Sequence, residues 1–343
     1  MGKCTDGPRV GLALGGGGAR GAAHVGVLRA LERAGIPIAC IAGTSSGAMV
    51  GAAYAAGLSP DQIERVFASV RFRDLFRPVW ARDGWLDNSP LADTFEREAG
   101  RLNAEDLRIP FAATATDADT GEPVTLQCGP LGPILRATTA MPCIVRPVHL
   151  DGRRLVDGGV VHKVPVQLAR AMGADIVVAV DLSFPYPWRR KKARHPLVFL
   201  MRMLEIMEQH LVAAQLDGAD VVIRPWADCG TFEFHRYRAQ ILSGEAAAAK
   251  AIPAILACLD RFAAAGRPIP APATDPAPAT DHAPATDHAP AAGRETRPPT
   301  GAAAEARPAL TPAPVAPAAH PAPAPRPGLL PLPAPGQTQA SAP

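Results

Sequence analysis

The sequence VGLALGGGGARG at residues 10–21 decides the fold, together with IACIAGTSSG at residues 38–47. In both stretches a short apolar run, typical of a buried strand, ends in a glycine-rich turn. A helical pattern follows each turn, so each turn occupies a strand-to-helix junction. Two such units in succession predict alternating strands and helices around a parallel sheet.

Later segments continue this alternation. Ser59-Pro60-Asp61-Gln62 is a capping box with proline at the first helical position, which predicts a helix start. The runs at residues 176–180 and 221–223 are apolar on both faces, as in the middle of a covered sheet. We therefore predict an α/β fold, a three-layer α/β/α sandwich with a mostly parallel central sheet. The other predicted elements are helices near residues 20–34 and 164–172, terminal helices over 231–264, and strands near 38–42, 111–116, 124–127, 145–150 and 154–156.

Composition divides the chain into one domain and a tail. Residues 1–265 have the apolar periodicity that a core requires, and their number suits a single α/β domain. Residues 266–343 are dominated by Pro and Ala, and the motif Ala-Pro-Ala-Thr-Asp-X occurs three times in a row over residues 271–288. Such a segment cannot bury enough surface to offset its ordering entropy, so we predict a disordered tail. We attribute His282 and His288 to repeat expansion rather than to metal binding.

Charge and cysteine content exclude several classes of partner. The net charge of +3 is small and no aromatic-studded basic face accompanies it, so we expect no nucleic-acid partner. The six cysteines lack metal-ligand spacing, and we predict neither a metal nor a cofactor. The run RRKKAR at residues 189–194 precedes an apolar stretch, and it is either a solvated loop or a contact with an anionic membrane surface. The sequence shows no evident signal peptide and no apolar run of membrane-spanning length. We therefore expect a cytoplasmic location, and peripheral contact with the inner membrane face stays open.

The first glycine-rich turn has two interpretations. Gly16-x-Gly18-x-x-Gly21 after a strand fits the dinucleotide fingerprint, but that site needs an acidic residue at the end of the second strand. Residues 38–42 lead into Gly43 instead, and the lysine of a phosphate-binding loop is also missing after Gly21, so we expect no nucleotide. The turn does supply unobstructed backbone amides at a helix N-terminus, which stabilise a developing oxyanion. Arg20 either supports this loop or meets an anionic head group.

The second turn presents a candidate nucleophile. Gly43 and Gly47 allow the strand to turn sharply into a helix, which leaves Ser45 exposed at the apex. A serine hydroxyl needs a base to accept its proton. Asp157 is a candidate, because Val156-Asp157-Gly158-Gly159 ends a strand with a carboxylate. Several histidines have no distinguishing partners in the sequence: His24, His149, His162, His195, His210 and His235.

With these three elements in order, the chain resembles the patatin-like phospholipases, in particular the bacterial members related to neuropathy target esterase. The similarity extends over about residues 10–250. It is carried by residues 11–28, 43–47 and 155–159, and it continues in residues 136–142 and 232–235. Thr138-Thr139 departs from the family pattern, because many members carry a serine there.

The resemblance implies a Ser-Asp dyad. Ser45 would attack an ester carbonyl, Asp157 would take its proton, and the acyl-enzyme would later be hydrolysed. The resemblance assigns the oxyanion amides to Gly16, Gly17 and Gly18. Family members hydrolyse acyl esters of phospholipids, lysophospholipids or simpler lipids without a metal. The residues that complete the motifs are Arg20, Gly21, Gly43, Gly47, Gly158 and Gly159.

Two other functions stay open at this stage. An α/β-hydrolase with a full triad would need a histidine such as His162 or His235 after the aspartate. A non-catalytic adaptor would use the proline-rich tail to bind aromatic-lined grooves. Residues 71–88 are either a mobile or membrane-touching cap or part of the core, and their aromatic side chains are Phe72, Phe76, Trp80 and Trp85.

Overall fold

The computed structural model describes residues 7–80, 82–183, 196–226 and 229–264. Three predictions lie outside these residues: the disordered tail over residues 266–343 with its histidines, the basic run at residues 189–194, and any role of His195.

A mixed, mostly parallel eight-stranded sheet forms the middle of the fold. Along its main path the strands follow the order β10-β9-β1-β2-β5-β8-β7, and β6 pairs with β5. The first five strands of this order pair in parallel, whereas β6, β7 and β8 pair antiparallel. The strands are β1 (Val10–Leu14), β2 (Cys40–Thr44), β5 (Phe111–Asp117), β6 (Pro123–Leu126), β7 (Val148–Leu150), β8 (Arg153–Asp157), β9 (Ile176–Val180) and β10 (Val221–Ile223). A separate two-stranded ribbon pairs β3 (Arg77–Pro78) with β4 (Leu86–Asp87).

Helices cover both faces of the sheet, so the predicted three-layer sandwich is confirmed. Alternate residues of β1 face opposite layers, with Leu12 and Leu14 in one buried cluster and Ala13 in the other. The cluster around Leu12 includes side chains of α1, α2 and α9, and the cluster around Ala13 includes α7 and Val212 of α8. The helices are α1 (Ala23–Arg33), α2 (Ser46–Ala55), α3 (Pro60–Ser69), α4 (Phe72–Leu75), α5 (Ser89–Ala99), α6 (Leu131–Thr138), α7 (Val166–Ala171), α8 (Pro196–Gln215) and α9 (Tyr237–Ala264).

Element bounds agree with the sequence where local signals are strong. The strands β9 and β10 have the predicted bounds, and α3 begins at the predicted capping box, in which Ser59 and Gln62 bond reciprocally. The predicted helix over residues 20–34 instead begins with a 3₁₀ turn, Gly18–Ala22, and becomes α-helical at Ala23. The predicted strand over 145–150 is shorter, because Pro147 has no N–H for a ladder hydrogen bond.

The bounds of β2 differ from the prediction by two residues. The strand runs over Cys40–Thr44 rather than 38–42. Its parallel register, which pairs Gly11 with Cys40 and Leu14 with Gly43, sets these bounds. As a result β2 ends directly before Ser45.

The long C-terminal helix α9 packs along α1. A Cβ on Gly26 would lie 2.0 Å from the Ile241 carbonyl oxygen, and a Cβ on Gly244 would lie 1.9 Å from that of Ala23. These two glycines therefore allow the backbones of α1 and α9 to approach closely. By length and composition the helical span Phe234–Ala264 could cross a membrane, and it is the single such helix among the described residues. The expectation that no apolar run has that length was wrong for this span, by length and composition.

Candidate active site

Sheet register brings Ser45 and Asp157 together. Thr44 of β2 pairs with Thr114 of β5, and the next residue of β5, Ala115, pairs with Asp157 of β8. Ser45 and Asp157 therefore occupy neighbouring rows, and the Ser45 hydroxyl donates a hydrogen bond to Asp157 Oδ2 over 2.6 Å. Two residues that are separated by more than a hundred positions in the chain thus form one buried hydroxyl–carboxylate pair, and Ser45 is buried rather than exposed at its turn as predicted.

The backbone at Ser45 is held in an unusual conformation. Ser45 has φ 53° and ψ −121°, a region that disfavours L side chains and costs on the order of 1–3 kcal/mol. Its N–H donates to Thr138 Oγ1 (2.9 Å), and the Thr138 hydroxyl donates to the Thr114 carbonyl (2.6 Å). Thr138, at the end of α6, therefore links the turn at Ser45 to β5.

Close packing explains the glycines of these motifs. An added Cβ at each of four positions would lie within 3.0 Å of an atom of another segment, so any side chain would displace the turn. At Gly47 the nearest atom is the Leu14 carbonyl oxygen, only 2.2 Å away. The four positions are Gly21, Gly43, Gly47 and Gly158.

The amides assigned to the oxyanion hole have different partners. Gly16 N–H donates to the Lys163 carbonyl and Gly17 N–H donates to Ser46 Oγ, each over 3.0 Å. For the Gly18 N–H, the structure shows no acceptor among the residues it describes. Gly18 and Ser46 both line the cavity beside Ser45. Gly16 therefore contributes a structural hydrogen bond here, and Gly18 has the N–H that is available to a ligand.

Asp157 is buried and accepts a second hydrogen bond, from the Gly159 N–H to Oδ1 (2.8 Å). Burial raises the pKa of Asp157 to about 6, although the hydrogen bonds from Ser45 and Gly159 oppose the shift. Two charged neighbours act in opposite directions, since Glu208 raises this pKa and Lys163 lowers it. Near neutral pH the carboxylate can therefore both be ionised and accept a proton.

The sequence analysis missed Lys163 and Glu208. Lys163 lies in the loop after Asp157, is buried, and forms an ion pair with Glu208 of α8. A lysine inside the largely apolar run VVHKVPV, residues 160–166, was a signal that could have identified it. Glu208 had no such signal, because only the packing of α8 brings it to the site.

Arg20 supports the glycine-rich loop. Its Nε donates to the Gly17 carbonyl (3.2 Å), and its terminal nitrogen lies 3.6 Å from a Glu205 carboxylate oxygen. The Arg20 side chain is buried. Arg20 therefore supports the loop, which is one of the two roles predicted for it; the other was contact with an anionic head group.

No histidine in the described ranges bonds to the side chain of Ser45 or Asp157. His24 is fully buried and its Nε2 lies 2.8 Å from the Gly15 carbonyl oxygen, which can only accept. Burial lowers the pKa of His24 to about 4, so this ring is neutral and holds the loop. The serine and the acid of the site are in direct contact, with no imidazole between them.

A mostly apolar cavity of about 140 Å³ opens beside Ser45. Phe76, from the predicted cap segment, lines it and stacks on Phe72 with ring centroids 4.8 Å apart. Trp80, from the same segment, is fully exposed, so that segment is part core and part surface. Other residues around the cavity include Met49, Val50, Ala53, Ile63, Phe67 and Phe95.

Part of this chain matches a known protein family, and several known proteins are similar to it. Residues 12–170 match the family model described as patatin-like phospholipase. An uncharacterized NTE family protein of Mycobacterium tuberculosis is 40% identical over 182 residues, which cover 52% of this chain and 50% of that protein. Patatin-like phospholipase domain-containing protein 7 of Rattus norvegicus is 35% identical over 195 residues, 53% of this chain and 14% of that protein.

The chain spans about half the length of the mycobacterial relatives it matches. Among solved structures, VipD from Legionella pneumophila has a TM-score of 0.43 at 14% identity, covering 75% of this chain and 67% of VipD.

Proposed function

We propose, from the patatin-like phospholipase domain that this chain carries over residues 12–170, that the protein is a serine hydrolase of lipid acyl esters. The observation that supports this most directly is the 2.6 Å hydrogen bond from Ser45 Oγ to Asp157 Oδ2, at an apolar cavity. Phospholipids and lysophospholipids are the substrate class, because their acyl chains suit the apolar lining and their esters supply the carbonyl.

In the proposed first step, Ser45 Oγ bonds to the ester carbonyl carbon while its proton passes to Asp157. The carbonyl electrons move onto oxygen, and the resulting oxyanion lies near the N–H of Gly18 and the Gly17–Ser46 pair. When the tetrahedral intermediate collapses, the bond to the alcohol breaks and Asp157 returns the proton to the leaving oxygen. A covalent acyl-Ser45 intermediate remains.

In the second step a water molecule attacks the acyl carbon, and Asp157 accepts the water proton. Collapse of this intermediate returns the proton to Ser45 Oγ and releases the fatty acid. The carboxylate thus serves both half-reactions without a histidine, which fits its direct contact with the serine.

The test is covalent labelling with a fluorophosphonate probe together with hydrolysis of a short-chain fluorogenic ester. Wild type should label, and Ser45→Ala should lose both labelling and hydrolysis. Asp157→Asn should reduce hydrolysis by about 10³-fold or more, because the base is gone. Matched His162→Gln and His235→Gln variants should stay active. Activity that persists in Asp157→Asn, or that disappears in one histidine variant alone, would contradict the dyad.

A further inference from the structure

Helix α8 buries polar groups beside its buried Val212, which an ordinary surface helix does not. On its inward face, Glu205 accepts a hydrogen bond from Thr231 Oγ1 (2.7 Å), and Glu208 pairs with the buried Lys163. Further along the same face, Gln215 bonds to the Lys163 and Val164 amides and to the Val161 carbonyl. The polar groups of α8 therefore fasten it to the loops of the candidate site.

The outward face of α8 is mostly apolar, although His210 is exposed on it. At 3.6 residues per turn, its large exposed apolar side chains fall within an arc of about 120°. Ordinary surface helices place polar residues there. Both glutamates of α8 lie on the inward side, so this face also carries no acidic residue. The large exposed apolar side chains are Phe199 (54%), Leu200 (43%), Met207 (62%) and Leu211 (47%).

The helix that carries this face adjoins the candidate active site through its inward side. Thr231, which bonds to Glu205, precedes Phe232, and Phe232 is 41% exposed while it also lines the cavity. Val160 follows Gly159 in the loop that Glu208 approaches, and it is 42% exposed. Exposed apolar side chains therefore belong to the same segments that form the site.

We infer that the outward face of α8, with Phe232, docks on a lipid surface that contains anionic phospholipid. The inference rests on the proposed function, since the cavity would then receive its acyl ester from the surface on which the protein lies. A bilayer can cover the apolar side chains of a convex helix face, because lipid adapts to them and no complementary groove is needed. The sequence adds five basic residues directly before this helix, in RRKKAR, which favours an anionic surface.

The experiment uses the full chain and flotation with phosphatidylcholine vesicles, with and without phosphatidylserine. Wild type should float with vesicles, and more strongly when phosphatidylserine is present. The variant F199S/M207S/L211S should lose at least about tenfold in vesicle partitioning, because each change removes apolar surface from the contact. The matched control is L242S/L256S, which removes exposed apolar side chains from α9 instead (66% and 42% exposed) and should bind like wild type.

Two readouts separate this inference from the proposed function. Hydrolysis of a soluble short-chain ester and fluorophosphonate labelling should be unchanged in the α8 variant, whereas hydrolysis of vesicle phospholipid should fall. Should the triple variant fail to fold by circular dichroism, the single change Met207→Gln should still weaken flotation. Vesicle binding that is unchanged in both α8 variants would overturn the inference. So would a wild-type dimer that the α8 variant converts to a monomer, since the face would then join two copies.

Discussion

In the proposed reaction Asp157 must be ionised to accept a proton from Ser45, yet it is only 6% exposed. Burial raises its pKa to about 6 from an ordinary value of 3.8, and the hydrogen bonds from Ser45 and Gly159 limit the rise. Glu208 and Lys163 then shift the pKa in opposite directions. The basicity of the carboxylate therefore depends on residues that do not touch the reacting atoms.

The pH profile of the reaction tests this dependence. We expect kcat/KM for a soluble ester to rise with pH with an apparent pKa of about 6, because only the ionised form of Asp157 accepts a proton. Glu208→Gln should lower the apparent pKa by removing a negative charge, and Lys163→Met should raise it by removing a positive one. If Glu208 and Lys163 had only a structural role, their variants would lower the rate without shifting the apparent pKa. Shifts of the apparent pKa in the same direction in both variants would contradict the charge effect.

The same pKa shift has a consequence for stability. Between about pH 4 and 6 the unfolded chain has already lost the Asp157 proton while the folded chain keeps it, so stability falls as pH rises through this window. At neutral pH the buried carboxylate thus destabilises the fold. We expect Asp157→Asn to raise Tm at pH 7 and to change it little at pH 3, measured by circular dichroism melts at both values.

At the scale of elements, the end of α6 fixes the turn between β2 and α2. Thr138 accepts from the Ser45 N–H and donates to the Thr114 carbonyl, so one hydroxyl joins three elements. Thr138→Val keeps the shape but leaves both backbone groups without their partner, at a cost of about 1–3 kcal/mol for each buried group. The strained turn at Ser45 depends on this support.

We expect Thr138→Val to lower kcat by about tenfold or more, with a smaller change in KM, and to lower Tm. Thr138→Ser keeps the hydroxyl and should restore both values to near wild type. Steady-state kinetics on a soluble ester, with melts of the same samples, provide the measurement. Equal kinetics for the valine and serine variants would show that the hydroxyl does not position Ser45.

Elements with strong local signals could be predicted, and elements governed by distant pairing could not. The bounds of β9 follow from a continuous apolar run, and Ser45 and Asp157 follow from glycines that mark sharp turns. The end of β2 depends on its register with β1, which no local pattern contains. The Gly16 amide bonds to the Lys163 carbonyl, a partner that only the folded chain brings near.

At the scale of the whole molecule, the core extends to the end of α9. The last buried apolar residues in the described ranges are Ile255 and Cys258, and α9 fits against α1 through Gly26 and Gly244. The chain beyond residue 265 has the Pro- and Ala-rich composition that cannot supply a core. The folded domain should therefore need α9 and should not need the tail.

Two truncations test this boundary. A chain that ends after residue 265 should keep the Tm of the full chain and its hydrolysis of a soluble ester, because no core residue is lost. A chain that ends after residue 236 lacks α9 and should aggregate or melt at a much lower temperature, since the apolar face of α1 would be exposed to water. Lost ester hydrolysis in the longer truncation, with its Tm unchanged, would show that the tail acts on the active site. A lower Tm there would instead move the domain boundary beyond residue 265.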